Sequence, residues 1–238
     1  MPLSTVLFDL DGTLLPMDLD RFLEQYFLSA AKKLIPHGFD TKEFIANLWK
    51  GSYVMIKNNG AKTNEEAFWE FILQTYGEKE AGLIDEVLED FYRSDFDKLQ
   101  SICGFDPNAA NAVRQIKEKG FRVALATNPL FPRSATESRI RWAGLSPSDF
   151  ELYTTFESAH YTKPNPNYYF EVTDKMGVDP KDCLMVGNDT SDDLSAREAG
   201  IDVFLLTPGL INKKAIDISS IPNGNFSDLI AYIDKQTR

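Results

Sequence analysis

Val6-Leu7-Phe8-Asp9-Leu10-Asp11-Gly12-Thr13 opens the chain with an apolar run that ends in two aspartates. A near-continuous apolar run is the mark of a buried parallel strand rather than an exposed hairpin. Side chains alternate along a strand, so Asp9 and Asp11 are expected to project the same way just past its carboxyl end. Gly12 lets the backbone turn sharply there. Two carboxylates on one side of a tight turn either hold a divalent cation or divide the duties of acid, base and nucleophile. Asp-Gly alone would signal no more than a surface turn.

Outward from that strand, residues 106 to 206 alternate helix and strand signals. Asp106-Pro107 reads as an N-cap and first helical residue, with Gly120 closing the helix. Phe121 to Thr127 reads as a strand, Pro132 to Trp142 as a helix, and Phe150 to Thr155 as a weaker strand. Asn165-Pro166 starts another helix, Asp182 to Val186 is a buried strand, and Ser191 to Ala199 is a helix closed by Gly200. Ile201 to Leu206 is a fifth strand and Phe226 to Lys235 a terminal amphipathic helix. This alternation predicts an α/β fold, a Rossmann-like parallel sheet with right-handed crossovers. Ligands of such sheets bind beyond the carboxyl ends of the strands.

Residues 16 to 100 break the alternation. They carry four helical patterns at i, i+3, i+4 spacing: one around Phe22 to Leu34, one around Phe44 to Ile56, one opened by a Thr63–Glu66 capping box, and one around Ile84 to Phe91. We read them as an inserted helical cap over residues 16–100, between core segments 1–15 and 101–238. It should hang over the Asp9–Asp11 turn.

The net charge of −11, from 36 acids against 25 bases, disfavours nucleic acid and anionic membranes as partners. No run approaches the roughly 20 apolar residues needed to span a bilayer. Cys103 and Cys183 have no metal-ligand spacing, and two histidines are too few for a histidine metal site. Free cysteines and the absence of a leader pattern fit a cytoplasmic protein. Monomer and homodimer are both open.

Four polar segments fall at strand ends or helix starts: Asp9 and Asp11; Thr127-Asn128; Lys163-Pro164; and Gly187-Asn188-Asp189-Thr190-Ser191-Asp192-Asp193. That inventory suits phosphoryl transfer. Carboxylates hold Mg²⁺, the metal and Lys163 neutralise phosphate oxygens, and Thr127 and backbone N–H groups donate hydrogen bonds to them.

With these four motifs in order over the whole length, the chain resembles the haloacid dehalogenase-like hydrolase superfamily, and its insert resembles the C1 class of cap. The resemblance implies that Asp9 is the nucleophile, forming an aspartyl-phosphate, and that Asp11 is the general acid and then base. Asp9 and the main-chain carbonyl of Asp11 would ligate Mg²⁺, Thr127 and the N–H of Asn128 would bind the phosphoryl group, and Lys163 would steady Asp9. Asp11 argues for phosphate over carbon–halogen chemistry, because dehalogenases of the superfamily lack that second aspartate.

The fourth motif departs from the common pattern, with Asn188 where the first acid often stands. Asp189 is taken as the metal ligand because Mg²⁺ prefers charged oxygens. Asp193 would orient waters or Lys163, and Asn188 stays open in either role. Asp192 is read as favouring a helix N-terminus. Pro129 stands where Gly is frequent. Trp49 is read as cap core, with a substrate-reading face of Trp49, Tyr53 and Lys57 as the alternative. Tyr168 and Tyr169 are expected to pack, His160 to lie in a loop, and Arg21 and Arg133 to be surface charges.

The function expected is Mg²⁺-dependent hydrolysis of a small phosphorylated metabolite. The alternatives are a sugar phosphomutase using the same aspartyl-phosphate, and a non-catalytic binding protein on a retained scaffold.

Overall fold

The computed structural model describes residues 3–236. Six parallel strands form one sheet in the order β3-β2-β1-β4-β5-β6. They are β1 (Thr5–Phe8), β2 (Arg122–Leu125), β3 (Leu152–Tyr153), β4 (Cys183–Gly187), β5 (Asp202–Leu206) and β6 (Asn223–Gly224). The register places Val6 opposite Val123 on one side and Leu184 on the other. The chain runs outward in one direction from β1 to β3, then returns to start β4 on the other side of β1. The strand order therefore reverses between β1 and β4, where a doubly wound sheet opens a crevice for ligand.

Alternation along β1 explains the layers. Val6 and Phe8 join one apolar cluster with Val123, Leu125, Val186 and Phe204. Leu7 points the other way, to Met185, Val203 and the rings of Tyr168 and Tyr169. The first face is covered by α5 (Pro107–Glu118), α6 (Arg133–Trp142) and α8 (Phe226–Gln236), the second by α7 (Pro166–Met176). Each fully buried Leu or Phe contributes about 1.5–3 kcal/mol over leaving it in water. The expected caps are present: Asp106 accepts from Asn108 N–H with Pro107 at the first helical position, and Asn165 accepts from Asn167 N–H with Pro166 there.

The insert contains α1 (Leu19–Leu34), α2 (Thr41–Ile56), α3 (Asn64–Tyr76) and α4 (Glu78–Ser94). The Thr63–Glu66 capping box forms as the sequence implies. The chain leaves and re-enters the core side by side, with Gly104 N–H donating to the Pro16 carbonyl at 2.6 Å. The start of α3 is tied to core loops. The N–H groups of Asn64 and Glu65 donate to Ala159 and Phe156 carbonyls at 2.9 and 3.0 Å. The buried Asn64 amide also reaches the carbonyl of Pro129 at 3.2 Å. These are free N–H groups of a helix start, satisfied across the domain boundary.

Two expectations need correction, and two short elements carry no sequence signal. The stretch 191–199 is no α-helix: a side-chain-stapled turn over 189–193 leads into a 3₁₀ helix, Leu194–Ala199. Asp193 and Asp189 capture the N–H groups of 188, 189, 191 and 192, and such side-chain acceptors compete with helical bonding. The expected strand 150–155 keeps only two paired residues. The short β6 and the 3₁₀ segment Phe96–Ile102 carry no periodic signal and went unread.

Candidate active site

Phe8 is the last paired residue of β1, and Asp9 follows it at the β1–β4 crevice, its N–H donating to the Val186 carbonyl at 2.9 Å. The chain then folds back on itself, with Leu15 N–H donating to the Leu10 carbonyl at 2.8 Å. Gly12 turns the loop at φ +83°, and a Cβ there would stand 2.4 Å from the Asn188 amide nitrogen. Both facts require glycine.

Lys163 arrives from a sequence distance of 154 residues and is 2% exposed. Its ammonium donates to Asp9 Oδ1 at 2.9 Å and to Asp193 Oδ1 at 2.6 Å. Burial acts to depress the Lys163 ammonium, but the carboxylates of Asp193 and Asp9 hold it well above its ordinary range. Burial pushes the Asp9 carboxyl up to about 7, with Lys163 opposing and Asp193 and Asp11 adding to the rise. The Thr13 hydroxyl is within 3.0 Å of Asp9 Oδ2 and 2.9 Å of Asn188 Oδ1, and its single proton serves one at a time.

Asp193 works from beneath. Its Oδ2 accepts the N–H groups of Asn188 and Asp189 at 2.8 and 2.9 Å, which shapes the turn after β4. Gly187 makes room for that carboxylate; a Cβ there would lie 2.1 Å from it. Asn188 is fixed from both ends, its amide donating to the Gly209 carbonyl at 2.6 Å. Asp189 uses Oδ1 to accept two backbone N–H groups of the turn.

Asp9, Asp11, Lys163 and Asp189 line one cavity of about 90 Å³, and Thr127, Asn128, Asn188 and Asp193 line the same cavity. All eight residues singled out from the sequence are thus brought together. Asp192, expected to serve a helix terminus, faces this pocket as well and accepts from the Asn128 amide at 3.2 Å. Burial raises its carboxyl to about 6, against the opposing charge of Lys163.

Two sets of residues went unread in the sequence. The first is Arg139 on α6, fully buried and paired with Asp11 Oδ2. Its guanidinium lies 4.1 Å from the centre of the Phe131 ring and reaches the Ala135 carbonyl at 3.3 Å. Asp11 Oδ1 is buried, with no hydrogen-bond partner among the described residues. A signal for Arg139 did exist: it stands four residues after Ala135 and three before Trp142, in the buried register of α6. The second set is the pair Tyr168 and Tyr169, which pack as expected but also donate. Tyr168 Oη and Thr154 Oγ1 both bond the Thr127 carbonyl, at 2.8 and 2.6 Å, and Tyr169 Oη bonds the Asp192 carbonyl at 2.8 Å.

Beside the pocket, between the inserted helices and the loops after β2 and β3, lies a larger chamber of about 390 Å³. Leu23 of α1 and Leu130 and Phe131 of the loop after β2 line both spaces. Trp49 is 47% exposed and Tyr53 59%, so Trp49 is a chamber wall rather than the cap core expected of it. It meets Phe27 edge-on at 4.7 Å.

The donors facing the smaller pocket suit a hard divalent cation. Five carboxylates face one lysine among its lining residues, and the orphaned Oδ1 of Asp11 is a buried oxygen in want of a partner. Among the described residues no three His, Cys, Asp or Glu side chains stand close enough to hold a metal by themselves. The expected set needs two side chains, Asp9 and Asp189, with the carbonyl of Asp11. Mg²⁺ usually takes few protein ligands and keeps several waters. No helix among the described residues is long and apolar enough to cross a membrane.

Comparison with known proteins places the fold among known relatives. The chain is 25% identical over 201 residues to a glyceraldehyde 3-phosphate phosphatase of Methanopyrus kandleri, covering 84% of this chain and 82% of that one. Its fold is similar to that of a Haemophilus somnus protein described as a predicted phosphoglycolate phosphatase, with TM-score 0.59, 22% identity and 97% of each chain covered. It is similar too to a β-phosphoglucomutase of Clostridium difficile, with TM-score 0.60, 16% identity, and 98% and 96% of the chains covered. A family model for haloacid dehalogenase-like hydrolases matches residues 3–200. The chain belongs to the haloacid dehalogenase-like hydrolase family.

Proposed function

We propose that the protein is a Mg²⁺-dependent phosphomonoesterase that acts on a small phosphorylated metabolite through a phosphorylated Asp9. The observation that carries this reading is the buried Asp9–Lys163–Asp193 chain at the mouth of the sheet crevice. A carboxylate so deeply buried, held by an ammonium and a hydroxyl, is a positioned nucleophile rather than a surface acid.

In the first half-reaction an Asp9 oxygen forms a bond to phosphorus while the ester P–O bond breaks. The alcohol oxygen leaves with a proton from Asp11, whose free Oδ1 supplies the reactive edge. In the second half, Asp11 takes a proton from water, the water oxygen bonds to phosphorus, and Asp9 is released with inorganic phosphate. Thr127 and the N–H of Asn128 hold phosphoryl oxygens, and Lys163 offsets their charge. A Mg²⁺ ion held by Asp9, Asp189 and the Asp11 carbonyl would screen the repulsion between carboxylate and phosphate.

Hydrolysis is favoured over the phosphomutase reading by the cavity walls. Among the described residues, Lys163 is the one lysine or arginine lining either cavity, so no second basic side chain among them would hold the distal phosphate of a bisphosphate. A binding-only role is disfavoured by the retention of Asp9, Asp11 and Lys163 in one pocket.

The test is phosphate release from p-nitrophenyl phosphate. With EDTA we expect at least a 100-fold loss, restored by millimolar Mg²⁺, and a thermal midpoint raised by several degrees on Mg²⁺ addition. Full turnover in chelator would end the metal assignment.

A further inference from the structure

We propose that the cap chamber takes the alcohol part of the substrate, so that the preferred esters are phosphates of an apolar alcohol or phenol of one to two rings' bulk. This rests on the phosphatase reading above and names the substrate class for that same site.

Size is the first argument. The catalytic pocket, at about 90 Å³, is smaller than the 150 Å³ cavity that takes one benzene ring. It suits a phosphoryl group and little more. The organic part must lie elsewhere, and the chamber of about 390 Å³ adjoins it. Leu23, Leu130 and Phe131 are walls of both, so a phosphate at Asp9 has the chamber as its neighbouring space.

Chemistry is the second argument. Among the described residues no Asp, Glu, Lys, Arg or His lines the chamber. Three of its hydroxyls, on Tyr26, Ser52 and Tyr92, already have partners. Tyr26 and Tyr92 bond one another, and Ser52 donates to the Leu48 carbonyl at 3.0 Å. A sugar or hydroxy acid would strip water from several hydroxyls and find as remaining side-chain partners the indole N–H groups of Trp49 and Trp69 and the Tyr53 hydroxyl at the solvent edge, so each unmatched hydroxyl costs about tenfold. An apolar group finds aromatic walls instead, Phe27 and Trp49 among them. Trp49, Tyr53 and Ile56, spaced i, i+4, i+7 on α2, carry the apolar surface out to solvent.

The experiment compares kcat/KM for methyl, butyl, hexyl and octyl phosphate, phenyl and 1-naphthyl phosphate, glycerol 3-phosphate and glucose 6-phosphate, all with Mg²⁺. We expect a rise of about threefold per methylene from butyl to octyl. Naphthyl should exceed phenyl at least tenfold, and both polyol esters should fall below butyl. Ser52→Phe, which fills the chamber without touching the catalytic pocket, should lower octyl and naphthyl turnover at least tenfold and leave methyl phosphate within twofold. Trp49→Ala, at a half-exposed site, is the second variant and should weaken naphthyl preference through KM. Binding of 1-naphthol to the Asp9→Asn protein, followed by tryptophan fluorescence, reads the chamber without chemistry and should be lost in Asp9→Asn/Ser52→Phe.

Phosphate release that is flat across the series, or highest for the polyols, overturns the inference and leaves the phosphatase reading standing. The same holds for a flat series in which a second copy covers α2, seen as a dimer that Tyr53→Glu dissociates. No release from any ester overturns both, and naphthol binding then shows only that the chamber is open.

Discussion

Asp9→Asn is expected to lower phosphate release by about 10⁴- to 10⁶-fold, the scale of losing a catalytic nucleophile. It should also stabilise the metal-free protein at neutral pH. Burial raises the Asp9 carboxyl from 3.8 to about 7, so in this window the folded chain holds a proton that the unfolded chain has released. Stability therefore falls as pH rises from about 4 through 7, and that loss is absent when residue 9 cannot ionise. At pH 8 in chelator the variant should be more stable by an amount of the order of 4 kcal/mol, the free-energy equivalent of moving the carboxyl from 3.8 to about 7. At pH 4 the two proteins should converge. Calorimetric melts at the two pH values, with a phosphate-release assay, check both halves. A variant less stable than the parent throughout would show that Asp9 is held without cost.

Arg139→Met should be the most damaging change outside the nucleophile. Methionine keeps the contact with the Phe131 ring but leaves Asp11 a largely buried carboxylate without its cation. Breaking one side of a buried pair costs about 3–5 kcal/mol, because the surviving charge has lost its partner. Arg139→Lys should not restore activity fully, since an ammonium cannot bond Asp11 and the Ala135 carbonyl in the same planar fork. Adding Asp11→Asn to Arg139→Met should return most of the stability and none of the activity. Urea melts of the two single variants and the double variant form a cycle, and a coupling below about 0.5 kcal/mol would mean the two side chains act independently.

Much of this was legible before any coordinates. Strand β1 announces itself because parallel strands are apolar on both faces, and Asp9 and Asp11 stand out as the place where that run stops. Lys163 had no local signal at all; it gained meaning only from its order among the other motifs, and its 2.6 Å bond to Asp193 needed the fold. Arg139 was hidden by the habit of reading arginine as surface, although its position among Ala135, Ile140 and Trp142 marks a buried charge. The sequence signal for a helix over 191–199 misleads because helical spacing is blind to carboxylates that seize backbone N–H groups. The chamber could not be read, since a void is made by four helices failing to meet, and periodicity describes one helix at a time. Trp49 was placed in the cap core for that reason.

The ring of Phe131 is a wall of the chamber, a wall of the catalytic pocket and the platform under the Arg139 guanidinium, which in turn grips Asp11. Under the proposed mechanism, an alcohol that presses on this ring pushes on the tether of Asp11, the proposed proton donor. Fit in the cap then tunes the speed of bond breaking as well as the tightness of binding, and across the ester series kcat should climb together with affinity. Identical kcat values for every ester would mean the ring and the tether move apart freely.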